Sequence, residues 1–225
     1  MYLTGDTHCS EINRLNMKNF PQQRQMTKND LVIVLGDFAL LWKNDPSKEE
    51  IWWKKWLNEK NFTTCFCDGN HENFYRLNNL PIVNKFEGKV GEYANSIFHL
   101  KRGEIYMIEG KKIFCFGGAR SVDKLKRFPD ISWWAAEEAT YAEQEYALSN
   151  LEKHNFQVDY IFAHTAPTCI IDKIFDYDTG KKDATANFLE HVIQVTKFKE
   201  FFCGHFHENL DFENYHFLYE KIMEA

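Results

Sequence analysis

The sequence predicts an α/β fold of two packed sheets with helices on the outside. Three observations carry this. Short runs rich in β-branched and aromatic residues alternate with helical stretches over most of the chain. Residues 96–117 read instead as short strands joined by tight turns, and a hairpin follows near the end. Forty-four per cent of the 225 residues are apolar, enough to fill a sizeable core between layers.

The elements follow in order. Tyr2–Gly5 and the continuous apolar run Leu31–Leu35 read as the first two strands. Ser47-Lys48-Glu49-Glu50 is a capping box, so a helix opens there and carries Trp53, Trp56 and Leu57. Trp52, Trp53 and Trp56 stand at helical spacing and are expected in the core. Phe62–Cys67 is a third strand, in which alternation puts Cys65 and Cys67 on one face. Ser96–Leu100, Glu104–Ile108 and Lys112–Gly117 form a meander turning at Lys101-Arg102-Gly103 and Glu109-Gly110-Lys111, so antiparallel pairing is expected. Trp133-Trp134 lies in a polar stretch from Ser121 to Glu138 and is expected to anchor that insertion on the core. Thr140-Tyr141-Ala142-Glu143 is a second capping box, opening a helix to about His154. Tyr160–His164 and Glu200–Cys203 are strands. Between them Asp183 caps a helix with Phe188, Leu189, Val192 and Ile193 on one face. Asn209–Phe212 and Tyr215–Glu220 pair around Glu213-Asn214. No repeat, low-complexity tract or linker interrupts the pattern, so residues 1–225 are read as one domain.

Composition excludes some partners. The net charge is −6, so no global basic field attracts nucleic acid, and the Lys181-Lys182 pair is too small to supply one. No apolar run approaches the roughly 18 residues that span a bilayer, and Met1–Asp6 lacks the layout of a signal peptide. Membrane and nucleic-acid partners are therefore not expected. Cys65, Cys67, Cys115 and Cys203 sit inside apolar runs, where a thiol packs as a small hydrophobe rather than binding metal or bridging. Reduced cysteines suit the cytoplasm, which is the expected location.

Five short motifs carry chemistry: Asp6-Thr7-His8, Gly36-Asp37, Gly69-Asn70-His71-Glu72, His164, and Gly204-His205-Phe206-His207. Each directly follows a strand candidate. Loops at the carboxyl ends of strands in α/β sheets converge on a ligand crevice. Carboxylates and imidazoles together hold divalent transition metals, and two such ions side by side suit an in-line displacement at phosphorus. His99, His154, His191 and His216 fall outside the motifs and are read as surface or packing residues. Gly117-Gly118-Ala119-Arg120-Ser121 has two readings. It is either a backbone anion nest with Arg120 reaching a substrate phosphate, or a plain turn with a solvated arginine.

These residues resemble the calcineurin-like metallophosphoesterase superfamily, with its D-x-H, G-D, G-N-H-[DE], H and G-H-x-H blocks, over residues 6–207. Asp68-Gly69-Asn70-His71-Glu72-Asn73-Phe74 and Gly117-Gly118-Ala119 are similar to a group of small bacterial and phage members. The resemblance implies a four-layer α/β/β/α sandwich of two mixed sheets flanked by helices. It implies that Asp6, His8 and His207 hold one metal, that Asn70, His164 and His205 hold the other, and that Asp37 bridges them. A metal-bridging hydroxide would attack phosphorus, with His71 beside the leaving oxygen rather than on a metal. Manganese is the expected metal, while zinc, iron or nickel would suit the same donors.

One position departs from the pattern. Many relatives carry a second aspartate three residues after the bridging one, where it orients the histidine; here that place is Leu40. Support for His71 is then missing or comes from elsewhere. The departure points away from protein Ser/Thr phosphatases, the runner-up reading, and towards a soluble phosphodiester or phosphomonoester as substrate. A nuclease trails both. A non-catalytic binding module on the same fold is the rival from another class, and such relatives lose metal histidines that this chain keeps.

Overall fold

In the computed structural model, residues 1–175 and 183–225 are described; Lys181 and Lys182 lie outside them. The apolar runs form two mixed sheets. In the first, strands β1 (Tyr2–Thr4), β2 (Leu31–Leu35), β3 (Thr63–Cys67) and β6 (Ile97–Leu100) lie parallel in that order. The antiparallel hairpin β4 (Ile82–Lys85) and β5 (Gly88–Ala94) extends one edge, and β13 (Met223–Glu224) closes the other. In the second sheet, β8 (Lys111–Phe116), β9 (Tyr160–Ala163), β10 (Glu200–Cys203) and β12 (Tyr215–Phe217) run parallel. Antiparallel β7 (Ile105–Ile108) and β11 (Leu210–Phe212) flank them.

Strand alternation sorts the side chains into layers. Ile33, Leu35, Cys65 and Cys67 of the first sheet meet Ile113, Cys115, Phe162 and Phe202 of the second in one buried cluster, which is the layer between the sheets. Their neighbours Val32, Val34 and Phe66 face the other way, onto Leu57 of helix α1 (Lys48–Asn58) and Phe74 and Leu77 of α2 (Phe74–Asn78). Phe114, Phe116 and Ile161 likewise face α3 (Tyr141–Lys153), α4 (Thr168–Ile174) and α5 (Ala184–Val195). The result is helix, sheet, sheet, helix: the four layers expected. Among the described residues no helix is long and apolar enough to cross a membrane.

Several local expectations change. The predicted meander divides between the sheets: β6 is buried along its whole length and pairs with β3, while β7 and β8 form a hairpin in the second sheet. Lys101-Arg102-Gly103 therefore crosses from one sheet to the other. Local alternation shows that a strand exists but not which sheet takes it, and β6 has a partner on both sides. The first capping box is only half made. Ser47 Oγ accepts from Glu50 N at 3.1 Å, but the Glu50 carboxylate instead binds Arg76 and Tyr93. The second is complete, with Thr140 and Glu143 bonded reciprocally. Trp52, expected in the core, is 55% exposed, while Trp53 and Trp56 pack against the core. Trp134 is buried and does anchor the 121–138 insertion. All six cysteines are free, and Cys67 and Cys115 meet inside the core with sulfurs 3.3 Å apart.

Candidate metal centre

The loops after β1, β2, β3, β9 and β10 converge, and they bring the motif residues together. Close approach demands glycine at two points. A Cβ on Gly36, which sits at φ +87°, would strike the His164 ring, and one on Gly69 would strike the Asp37 carboxylate. Four candidate ligands that are not glycine also take left-handed backbone: His8, Asp37, His205 and His207. Such conformations cost energy and persist where surrounding contacts fix them. Here Thr7 N and His8 N donate to Asp37 O at 3.1 and 2.9 Å, and Gly204 N donates to His164 O at 3.0 Å.

The donors fall into overlapping groups. Asp6, His8 and His207 present ligand atoms within 4.8 Å of one another, and so do Asp6, Asp37 and His164, and His8, Asp37 and His71. Asp37 lies between: its Oδ1 is 3.3 Å from His164 Nε2, and its Oδ2 is 3.8 Å from His8 Nε2. Asn70 Oδ1 lies 3.2 Å from His164 Nε2. His205 packs its ring against His164 with centroids 4.9 Å apart, and its backbone N–H donates to both Asp6 oxygens.

The chemistry of this donor set fits a cation. Leu35 O can only accept, so His164 Nδ1 donates to it at 2.8 Å, and Nε2 is left to face Asn70, Asp37 and Asp6 oxygens. His8 Nε2 and His207 Nε2 point at each other across 3.0 Å. Carboxylate oxygens and imidazole nitrogens converging in this way are a donor set that suits a divalent cation. Electrostatics agree. Burial lifts the Asp6 carboxyl to about 7, with neighbouring His164 opposing and Asp37 adding to the rise. Asp37 is equally buried, yet the imidazoles of His164, His71 and His8 outweigh burial and hold it well below the usual range. Burial drives His8 down to about 4, so its ring is neutral and able to coordinate.

A family model for calcineurin-like phosphoesterases matches residues 1–209. The chain belongs to this family. No curated protein matches it. Calcineurin-like phosphoesterases typically hold two divalent metals, and the overlapping donor groups around Asp6 and Asp37 are clusters that could hold metal.

Other residues support this cluster: Glu72 stands in the third motif without a role given to it there, while Ser121 and Glu137 lie outside the five motifs. Asn70 Nδ2 donates to Ser121 Oγ at 3.2 Å, and Ser121 Oγ donates to the buried Glu137 at 2.7 Å. That chain turns the amide oxygen of Asn70 inward. Ser121→Ala should weaken metal binding about 10–100-fold in a chelator competition while leaving the melting temperature near native. Glu72 Oε1 accepts from Phe38 N and Ala39 N at 2.9 and 3.3 Å, fixing the turn after Asp37.

The anion nest does not form. Gly118 N donates to Asp68 O, Arg120 N to Asp183 and Ser121 N to Glu137, so these amides are already spent. Among the described residues no contact joins Arg120 to the donor cluster. His71 is supported from elsewhere. With Leu40 buried in the core, His71 stacks on Trp42 at 5.1 Å and 23°, and Arg127 Nη2 lies 3.2 Å from its Nε2. Trp42 stands in the segment that carries the Leu40 departure; Arg127 had no local signal. His71 Nε2 is also 3.9 Å from Asp37 Oδ2, about as near as His8. Of the histidines outside the motifs, His99 is buried against Asp68, and His216 pairs with Asp211 and Glu200.

Proposed function

We propose that this chain is a dinuclear-metal hydrolase of a small, soluble phosphodiester or phosphomonoester. One observation carries the reading: the two oxygens of buried Asp37 face different donor groups, the arrangement expected of a bridging carboxylate. In this reading Asp6, His8 and His207 hold one ion, and Asn70, His164 and His205 the other. Two divalent ions, manganese by preference, would supply Lewis acidity at the phosphoryl oxygens and lower the pKa of the attacking water.

The chain's own residues do the rest. Asp37 and Asp6 fix the spacing of the donors, and the His164–Leu35 bond fixes a tautomer. Ser121 and Glu137 orient Asn70. His71, outside the ligand set, protonates or stabilises the leaving oxygen. Residues 1–225 act as one domain, and its free thiols, four of them fully buried, suit the reducing cytoplasm.

The test is a panel of metals against aryl phosphates, phosphodiesters and a phosphopeptide. Turnover of a small ester that depends on added metal supports the reading. Faster turnover of the phosphopeptide would favour a protein phosphatase, and two bound metals without any turnover would favour a binding module. His71→Ala refines the test. It should keep both metals and slow an ester with an alkoxide-like leaving group about 10²–10⁴-fold, with a much smaller effect on an activated aryl ester. Loss of a metal in that variant would make His71 a ligand.

A further inference from the structure

We propose that Arg127 binds the phosphoryl group of the substrate, at the wall of the cluster formed by His71. This rests on the phosphoesterase reading above and names the residue that grips the part common to mono- and diesters. Arg127 leaves the 121–138 insertion and reaches His71 with Nη2. Its Nε lies 2.7 Å from Asp123, and Nη1 contacts Ser132 O at 3.4 Å, so the guanidinium is tethered at its base. The side chain is only 16% exposed, and its Cζ sits 5.9 Å from the centre of the Trp42 ring.

The tether leaves part of the fork free. Of five guanidinium N–H bonds, three have partners among the described residues; one remains on Nη1 and one on Nη2, the latter at the end nearest His71. The partner at that end is an imidazole nitrogen, a weaker acceptor than a phosphoryl oxygen. His71 Nε2 in turn stands 3.9 Å from Asp37 Oδ2, so a phosphoryl group at the metal pair lies within reach of the fork. Planar paired donors match two phosphate oxygens, which an ammonium does not. The insertion is built to hold this position: Trp134 is buried and meets Trp42 edge-on at 5.2 Å, while Trp42 stacks on His71. Trp42 and Arg127 thus stand around His71, where Leu40 leaves the usual carboxylate absent.

Inorganic phosphate binding to the manganese-loaded protein, followed by calorimetry, tests this without turnover. Arg127→Ala should weaken phosphate about 10–100-fold at unchanged metal content, as expected for losing charge-assisted hydrogen bonds. Arg127→Lys should also bind more weakly than native, and added guanidinium should restore part of the affinity of Arg127→Ala. Native phosphate affinity in Arg127→Ala would overturn the proposal, as would a native protein that binds no phosphate. If Arg127→Ala loses metal or fold, Arg127→Lys decides: weaker phosphate at full metal content supports the proposal, and native affinity overturns it. A protein that hydrolyses no ester yet holds phosphate through Arg127 would lose the hydrolase reading and keep this one.

Discussion

Asp37→Asn should abolish turnover and leave at most one metal ion bound, with the fold intact. Asp37 is buried and faces both donor groups, so an amide there removes a negative oxygen from each. Lewis-acid stabilisation is worth several kcal/mol, and each ~1.4 kcal/mol is tenfold, so the rate should fall by about three orders of magnitude or more. The fold should survive because Asn can still accept from His71 N, which donates to Asp37 Oδ1 at 2.8 Å. A sign test accompanies the rate. Asp37 is held below its ordinary value by His164, His71 and His8, so its charge stabilises the metal-free fold and without metal the variant should melt below the native protein. With metal the gap should widen, because only the native chain gains the full stabilisation of binding. Metal analysis gives the occupancy, and calorimetry with and without metal gives the melting gap.

Arg102→Ala should cost the most stability, about 3–5 kcal/mol, because it strands a buried carboxylate. Arg102 lies 2.6 Å from Asp68, with both side chains at 5% exposure or less, and also binds the carbonyls of Ala136 and Glu137. His99 Nε2 lies 3.0 Å from the other Asp68 oxygen. Asp68 begins the loop that carries Asn70 and His71, so this cluster ties that loop to the 121–138 insertion. Burial alone would raise the Asp68 carboxyl, but Arg102 and His99 outweigh it and hold it far below its ordinary 3.8. A depressed carboxyl contributes stability above its unfolded value and loses that contribution as pH falls below it. The melting gap between native and variant should therefore be wide at neutral pH and narrow below pH 3.8. Urea melts across pH measure both effects. Arg102→Lys should fall between, since it keeps the charge but not the fork.

The candidate site could be read because its residues are bound to local pattern. Each motif follows an apolar run, and β2, β10 and the parallel order around them place those run ends together. Asp183 and Thr140 announced α5 and α3 through their own caps. What was not legible depends on contacts distant in sequence. The sheet that takes β6 is set by β3 and β5, not by its own alternation. Glu50 left its capping box because Arg76 and Tyr93 lie close in space. Leu40 marked an absence near His71, but its replacements come from Trp42 and from Arg127, 56 residues beyond His71. Arg120 drew notice as a cation beside glycines, yet Asp183 and Glu137 claim the amides on that turn.

Anomalous scattering from crystals grown with manganese tests the dinuclear centre most directly. Two peaks roughly 3.5–4 Å apart are expected. One should lie against Asp6, His8 and His207, the other against Asn70, His164 and His205, with one oxygen of Asp37 on each and His71 on neither. A single peak, a pair that Asp37 does not bridge, or density at His71 would contradict this arrangement.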